Sequence, residues 1–129
     1  MGGSEEVVRI RWNLAEAAAE RGRPHEAISE DHKVYAQLLE RGSLVQAAIA
    51  SVEILGLHLQ AGRLDELPSL ARKLGSLLRD AGSTIHVMEP LAYLRARIDA
   101  ERLTHGDVAY VRAFLEEVPV RTTARFRAP

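Results

Sequence analysis

Glycines punctuate this chain at a nearly constant interval. Gly22, Gly62 and Gly106 each separate the first and second helix of a predicted pair, at spacings of 40 and 44 residues, while Gly42 and Gly82 lie between pairs, 40 apart. Glycine enters the left-handed conformation that closes a helix without a side-chain penalty. A helix–turn–helix unit recurring at this period implies a stacked array, because one pair cannot bury its own apolar face. The turns agree with one another: RGRPHEAI, AGRLDELP and HGDVAYV each read as a Gly, a polar residue, a short spacer and a second helix. Ala and Leu dominate the apolar residues, only 5% of the chain is aromatic, and both biases favour helix over strand. The predicted fold is all-α, an antiparallel helix-hairpin array of the α-solenoid type, with about six helices in three pairs.

Residue by residue, 1–4 reads as a flexible lead-in, 5–118 as the helical domain and 119–129 as a basic tail. The first helix is expected over Glu5–Arg21, with Val8, Trp12, Ala15 and Ala19 and also Val7, Leu14 and Ala18 at helical spacing. The second runs from Pro24, suited to a first helical position, to Arg41. Ser43 reads as the N-cap of a third helix over Leu44–Ala61, which is apolar on most faces and therefore central. A fourth starts near Asp65, read as its N-cap. A fifth is expected from about Val87, which places Pro90 in the first turn rather than deep in the helix, where it costs roughly 3 kcal/mol. The sixth spans Asp107–Val118 and Pro119 ends it. The tail carries Arg121, Arg125 and Arg127, and Phe126 is its candidate anchor. Gly56 and Gly75 fall inside helices and read as points of close helix approach.

Composition narrows the function classes. With 17 basic and 18 acidic residues the net charge is −1, without the basic excess of a nucleic-acid binder. The chain has no cysteine, so disulfides, Cys-ligated metals and a thiol nucleophile are excluded, and a cytoplasmic location is expected. No apolar run approaches the ~18 residues of a membrane span, no signal peptide opens the chain, and Glu6 breaks the N-myristoylation pattern.

Catalytic and metal motifs are sparse. His25 and His32 are two helical turns apart, about 10 Å by rise, too far to share a metal, and with Glu26, Glu30 and Asp31 they read as a solvated face. His58, in the apolar third helix, reads as a half-buried, hydrogen-bonded histidine. His86 and Glu89 are three residues apart and form the one candidate acid–base pair, at a helix start where capping is the plainer role. His105 is expected in a turn, against the carbonyls of a helix end. No P-loop, dinucleotide-binding glycine motif or nucleophile elbow is present, and no cofactor is expected.

The segment WNLAEAAAERGRPHEAI, Trp12 to Ile28, resembles a tetratricopeptide repeat through Trp12, Leu14, Ala15, Gly22 and Ala27. The second unit departs from that pattern, with Leu55 and Leu67 at the small-residue positions and a period longer than the family's usual 34. The chain thus resembles a degenerate, long-period member. The stretches LQAGRLDELPSLARKLGSLLRDAG and FLEEVPVRTTARFR are also similar to C-terminal helical segments of bacterial multidomain regulators. These resemblances imply a protein–protein interaction module or scaffold, not an enzyme, which takes a protein or peptide in a groove built from the first helices of its pairs. Carried over by position, the groove residues are Arg9, Trp12, Asn13 and Glu16, then Val52, Glu53, Ala96 and Arg97. Trp12 reads equally as a core residue. Two other readings are a small all-α enzyme using His86 and Glu89 or the His25/His32 face, and a structural homo-oligomer.

Overall fold

The computed structural model describes residues 2–119 and 125–129, for residues 2–4 by their backbone alone. Arg121, expected in the tail, lies outside the described residues. The chain forms six α-helices: α1 (Gly2–Glu20), α2 (Pro24–Glu40), α3 (Leu44–Gln60), α4 (Leu67–Asp80), α5 (Ile85–Asp99) and α6 (His105–Glu117), with a 3-10 turn (Leu64–Glu66) before α4. The described residues contain no strand.

Helix ends repeat one local device. Gly22, Gly42, Gly62 and Gly82 all adopt positive φ, between 72° and 94°. At each, the glycine N–H reaches the carbonyl three residues back and the next N–H reaches five back, as in Gly22→Ala19 (3.1 Å) and Arg23→Ala18 (2.8 Å). The two bonds satisfy carbonyls that the last turn leaves open. Gly106 is not the fifth member. α5 is instead closed beyond Asp99 by Glu101 (φ 58°), whose N–H binds Ile98 O while that of Arg102 binds Arg97 O. Gly106 instead lies within the first turn of α6. The expected start of that helix at Asp107 moves back because Thr104 and Asp107 cap it reciprocally: Thr104 Oγ1 accepts from the Asp107 N–H (3.1 Å) and Asp107 Oδ2 from the Thr104 N–H (3.0 Å). His105 therefore opens α6 rather than closing α5.

Other boundaries differ for equally local reasons. α1 is already helical at Gly2, within the expected lead-in; Glu5 in its first turn complements the helix dipole and pairs with Arg41 at 3.2 Å. Ser43 precedes α3 without capping it through its side chain, and its N–H is spent on closing α2 at Leu38 O. Asp65 falls in the 3-10 turn, and Glu66 precedes α4. α5 begins at Ile85, two residues before the expected start, so Pro90 lies inside the helix. The proline has no N–H for the preceding turn, but its ring is fully enclosed, and that packing offsets the lost bond.

α3 is the centre of the molecule. It packs against α2, α4, α5 and α6, and Ala47, Ala48, Ala50, Val52 and Ile54 are wholly inaccessible. α2 lies between α1 and α3; α4 meets α5, and α5 meets α6. Gly56 marks the α3–α6 approach, where an added Cβ would come within 3.1 Å of Val108 Cγ1, whereas Gly75 faces open space and marks no close approach. Tyr35 Oη donates to Leu74 O at 2.6 Å, tying α2 to α4. Phe126 brings the tail back onto α5 and α6, with its ring 5.3–5.8 Å from those of Tyr93, Tyr110 and Phe114. Arg125 adds an ion pair to Glu89 (2.8 Å) and Tyr110 Oη donates to Arg127 O (2.7 Å).

Candidate functional site: a groove and a carboxyl-lined cavity

α1 carries two apolar stripes, one facing the core and the other buried only at Ala18. Val8 and Ala15 are buried, with Trp12 and Ala19 half-buried beside them, whereas Val7, Ile10 and Leu14 remain exposed. The polar face between these stripes forms one wall of an open groove of about 990 Å³ whose other walls are the start of α3 and residues of α6. Arg9, Trp12, Asn13 and Glu16 all line it, opposite Val45, Ile49, Arg112 and Glu116. Its charge is mixed, with Glu5, Glu6, Glu16 and Glu116 against Arg9, Arg41 and Arg112.

Trp12 anchors the groove floor. Its Nε1 donates to Glu53 Oε2 at 2.5 Å, so α1 and α3 are joined through a half-buried polar contact. Glu53 also faces Arg112 Nη1 of α6 at 2.9 Å, an ion pair without the alignment of a hydrogen bond. Arg112 reaches Glu116 (2.9 Å) and Glu16 (3.9 Å) as well. A single guanidinium thus gathers three carboxylates from three helices, and their attraction raises its pKa against the opposing effect of burial.

Behind Glu16 and Arg112 lies a smaller open pocket of about 220 Å³, lined by residues of α1, α2, α3 and α6. Asp31 and Glu53 are among its lining residues. Asp31 is 2% exposed, although its neighbours in sequence face solvent. Burial pushes its pKa to about 8, with Glu53 and Glu16 adding to the rise and Arg112 opposing it. Burial also raises Glu53, which the Trp12 hydrogen bond and Arg112 counteract. Both carboxyls are raised by burial and share a hydrogen bond, so the pair retains a proton above the ordinary carboxylate range. No protein N–H reaches Asp31 Oδ1.

The remaining groove positions separate. Val52 is enclosed in the core, and Glu53 lies beneath Trp12 in the smaller pocket rather than along the groove. Ala96 and Arg97 line neither space; Arg97 Nε donates to Asp107 Oδ2 (3.1 Å) and Nη2 to Arg102 O (3.0 Å), holding the α5–α6 turn. Burial raises Asp107, but hydrogen bonds from Tyr93, Thr104 and Arg97 outweigh it and hold the carboxyl below its ordinary range.

The His25/His32 face does not hold together either. His25 contacts Arg63 Nη2 at 2.6 Å. His32 has a lowered pKa from burial and from His58 and Lys73, while Asp31, expected beside it on a solvated face, points into the core. His58 is buried more deeply than expected, its Nδ1 2.9 Å from Ile54 O and its Nε2 3.5 Å from Glu66. Glu89 is engaged by Arg125. Among the described residues no group of three or more His, Asp or Glu could hold a metal ion, and no described helix is long and apolar enough to cross a membrane.

Sequence reasoning passed over Arg112 and Glu116 and placed Asp31 on a solvated face, whereas it is buried. Asp31 was legible: it falls on the repeat Ala27, Asp31, Val34, Leu38, an apolar stripe interrupted by one carboxylate. Arg112 carries no such signal, because its role arises only where α6 returns to α3. No protein-family model, curated protein or solved structure matches the chain.

Proposed function

We propose that this protein is a protein–protein interaction module, a cytoplasmic helix-hairpin array that holds an extended peptide or a partner helix along the groove of α1. The observation that carries this reading is the convergence of Arg9, Trp12, Asn13 and Glu16 on one open groove with an apolar strip at Val45 and Ile49. Mixed charge along the rim suits register-setting polar contacts, and a half-buried Trp in the floor suits an anchoring role. The regular helix closures at Gly22, Gly42, Gly62 and Gly82 support an array of hairpins in the tetratricopeptide manner, while the packing of α6 on α3 departs from a simple open stack. A scaffold segment of a larger bacterial regulator is the setting this reading favours.

Trp12 is the sole tryptophan and serves as its own reporter. Titrating the protein with a library of mixed-charge peptides and following Trp12 fluorescence should give saturable changes. Arg9→Glu and Asn13→Ala, both at exposed positions, should weaken them by about tenfold, the equivalent of ~1.4 kcal/mol. If no peptide perturbs Trp12, or if both variants bind as the parent does, the groove reading fails.

The exposed stripe Val7, Ile10 and Leu14 favours a second reading, self-association through the outer face of α1. In that case sedimentation across a dilution series shows a dimer that Ile10→Glu dissociates.

A further inference from the structure

We propose that the face formed by α5 and α6 is a recognition site for an extended Arg-Phe segment of a partner protein, and that the chain's own tail occupies it as an internal stand-in. Each helix supplies two residues one turn apart: Glu89 and Tyr93 from α5, Tyr110 and Phe114 from α6. A spacing of four puts each pair on a single helix face, and the packing of α5 on α6 brings the two pairs together. Between them they read three consecutive tail residues, each by a different chemistry. Arg125 Nε donates to Glu89 Oε1 at 2.9 Å, and Nη2 lies 2.8 Å from the same oxygen. Tyr93, Tyr110 and Phe114 surround the Phe126 ring at 5.3–5.8 Å, the last two edge-on. Tyr110 Oη donates to the Arg127 carbonyl at 2.7 Å. The face thus specifies a cation, then an aromatic ring, then a backbone acceptor.

This face differs from ordinary packing of a chain end in three respects. The chain has two Phe, three Tyr and one Trp, and four of these six meet here at the surface. Among the described residues Tyr35 is the one buried aromatic, so the core does not draw on this cluster. The receiving groups are also placed without the tail. Tyr93 Oη donates to Asp107 Oδ1 at 2.8 Å, and Asp107 is itself fixed by Arg97 and by its reciprocal cap with Thr104. Such preorganisation lowers the ordering cost of any ligand. Finally, the tail is held at the surface: Arg125 and Arg127 are exposed, and Tyr110 stays 41% exposed with the tail seated. An exposed ion pair and an open ring cluster exchange more readily than a buried core. Arginine and aromatic anchors are the residues that dominate protein interfaces. Tyr110 and Phe114 lie about 200° around α6 from Arg112 and Glu116, which border the α1 groove, so this site stands apart from the groove reading.

The probe is a fluorescein-labelled peptide, Thr-Ala-Arg-Phe-Arg-Ala-Pro, the sequence of residues 123–129, read by anisotropy against the full chain. Two full-length variants open the face by different routes. Phe126→Ala removes the ring from the tail, and Arg125→Glu sets a like charge against Glu89. Both positions lie outside the buried core, and each variant guards against a fault in the other. Both should bind the peptide saturably and more tightly than the parent, by about tenfold or more for Phe126→Ala. The parent's tethered tail competes at an effective concentration on the order of millimolar. A peptide with alanine in place of its phenylalanine, or glutamate in place of its first arginine, should not bind. No saturable binding to either variant, equal affinity for parent and variants, or equal binding of the alanine peptide would overturn the assignment. Sedimentation of the parent settles the other occupant: a dimer that both variants dissociate would place a second copy's tail on the face and overturn the partner reading.

Discussion

Asp31→Asn should flatten the pH dependence of stability. The folded chain holds a proton on the Asp31 and Glu53 pair up to about pH 8, whereas an unfolded aspartate releases it near 3.8. Between those limits the folded state binds the extra proton, so stability is greatest at the acid end and falls as pH rises. One proton of difference corresponds to about 1.4 kcal/mol per pH unit, and so to about 4 kcal/mol between pH 5 and 8. A domain with a net stability of ~5–15 kcal/mol would feel that loss plainly. His32 acts oppositely, since its lowered pKa makes stability rise as it deprotonates, but it is common to both proteins and cancels in their difference. Asparagine keeps the shape of Asp31 and offers an N–H to Glu53. Urea denaturation at several pH values between 5 and 8, with parent and variant compared at each, gives the difference curve. It should descend by ~1 kcal/mol or more per unit. A flat or rising difference would refute the claim that the pair holds a proton in the folded state.

The other expectations concern helix ends, helix ties and the tail. Gly75→Ala places a methyl in open space inside α4 and should raise stability by up to ~1 kcal/mol, whereas Gly42→Ala forces a side chain to positive φ and should cost ~1–2 kcal/mol in the same denaturation assay. Tyr35→Phe removes the buried hydroxyl that reaches Leu74 O and should cost about 1 kcal/mol, with α2 and α4 amides exchanging faster. Phe126→Ala strips the ring that Tyr93, Tyr110 and Phe114 share, so trypsin should cleave at Arg125 and Arg127 markedly sooner; unchanged cleavage would mean the tail is held by Glu89 and Tyr110 alone.

The sequence by itself determined the helices and four of their stops. Glycines at positions 22, 42, 62 and 82 interrupt otherwise continuous helix-forming segments, and a left-handed closure is a local conformational preference that needs no neighbour. The α3 centre was legible too, because a helix apolar on most faces must be covered on most sides. Locality also explains the misses nearby: Thr104 and Asp107 spell a capping box three residues apart, a signal that Gly106 obscured. Pro90 was misplaced because its penalty is local but its compensation, enclosure by other helices, is not. The candidate site divides the same way. Arg9, Trp12, Asn13 and Glu16 share one groove because they share one helix face, a property of spacing. Only tertiary structure decided that Ala96 and Arg97 lie elsewhere, that Arg112 reaches across from α6 to Glu53, and that Asp31 and Glu53 are pressed together away from water. Those contacts join α2, α3 and α6, residues up to 81 positions apart in sequence. Their energetics depend on desolvation, a property of the assembled interior that no local pattern encodes.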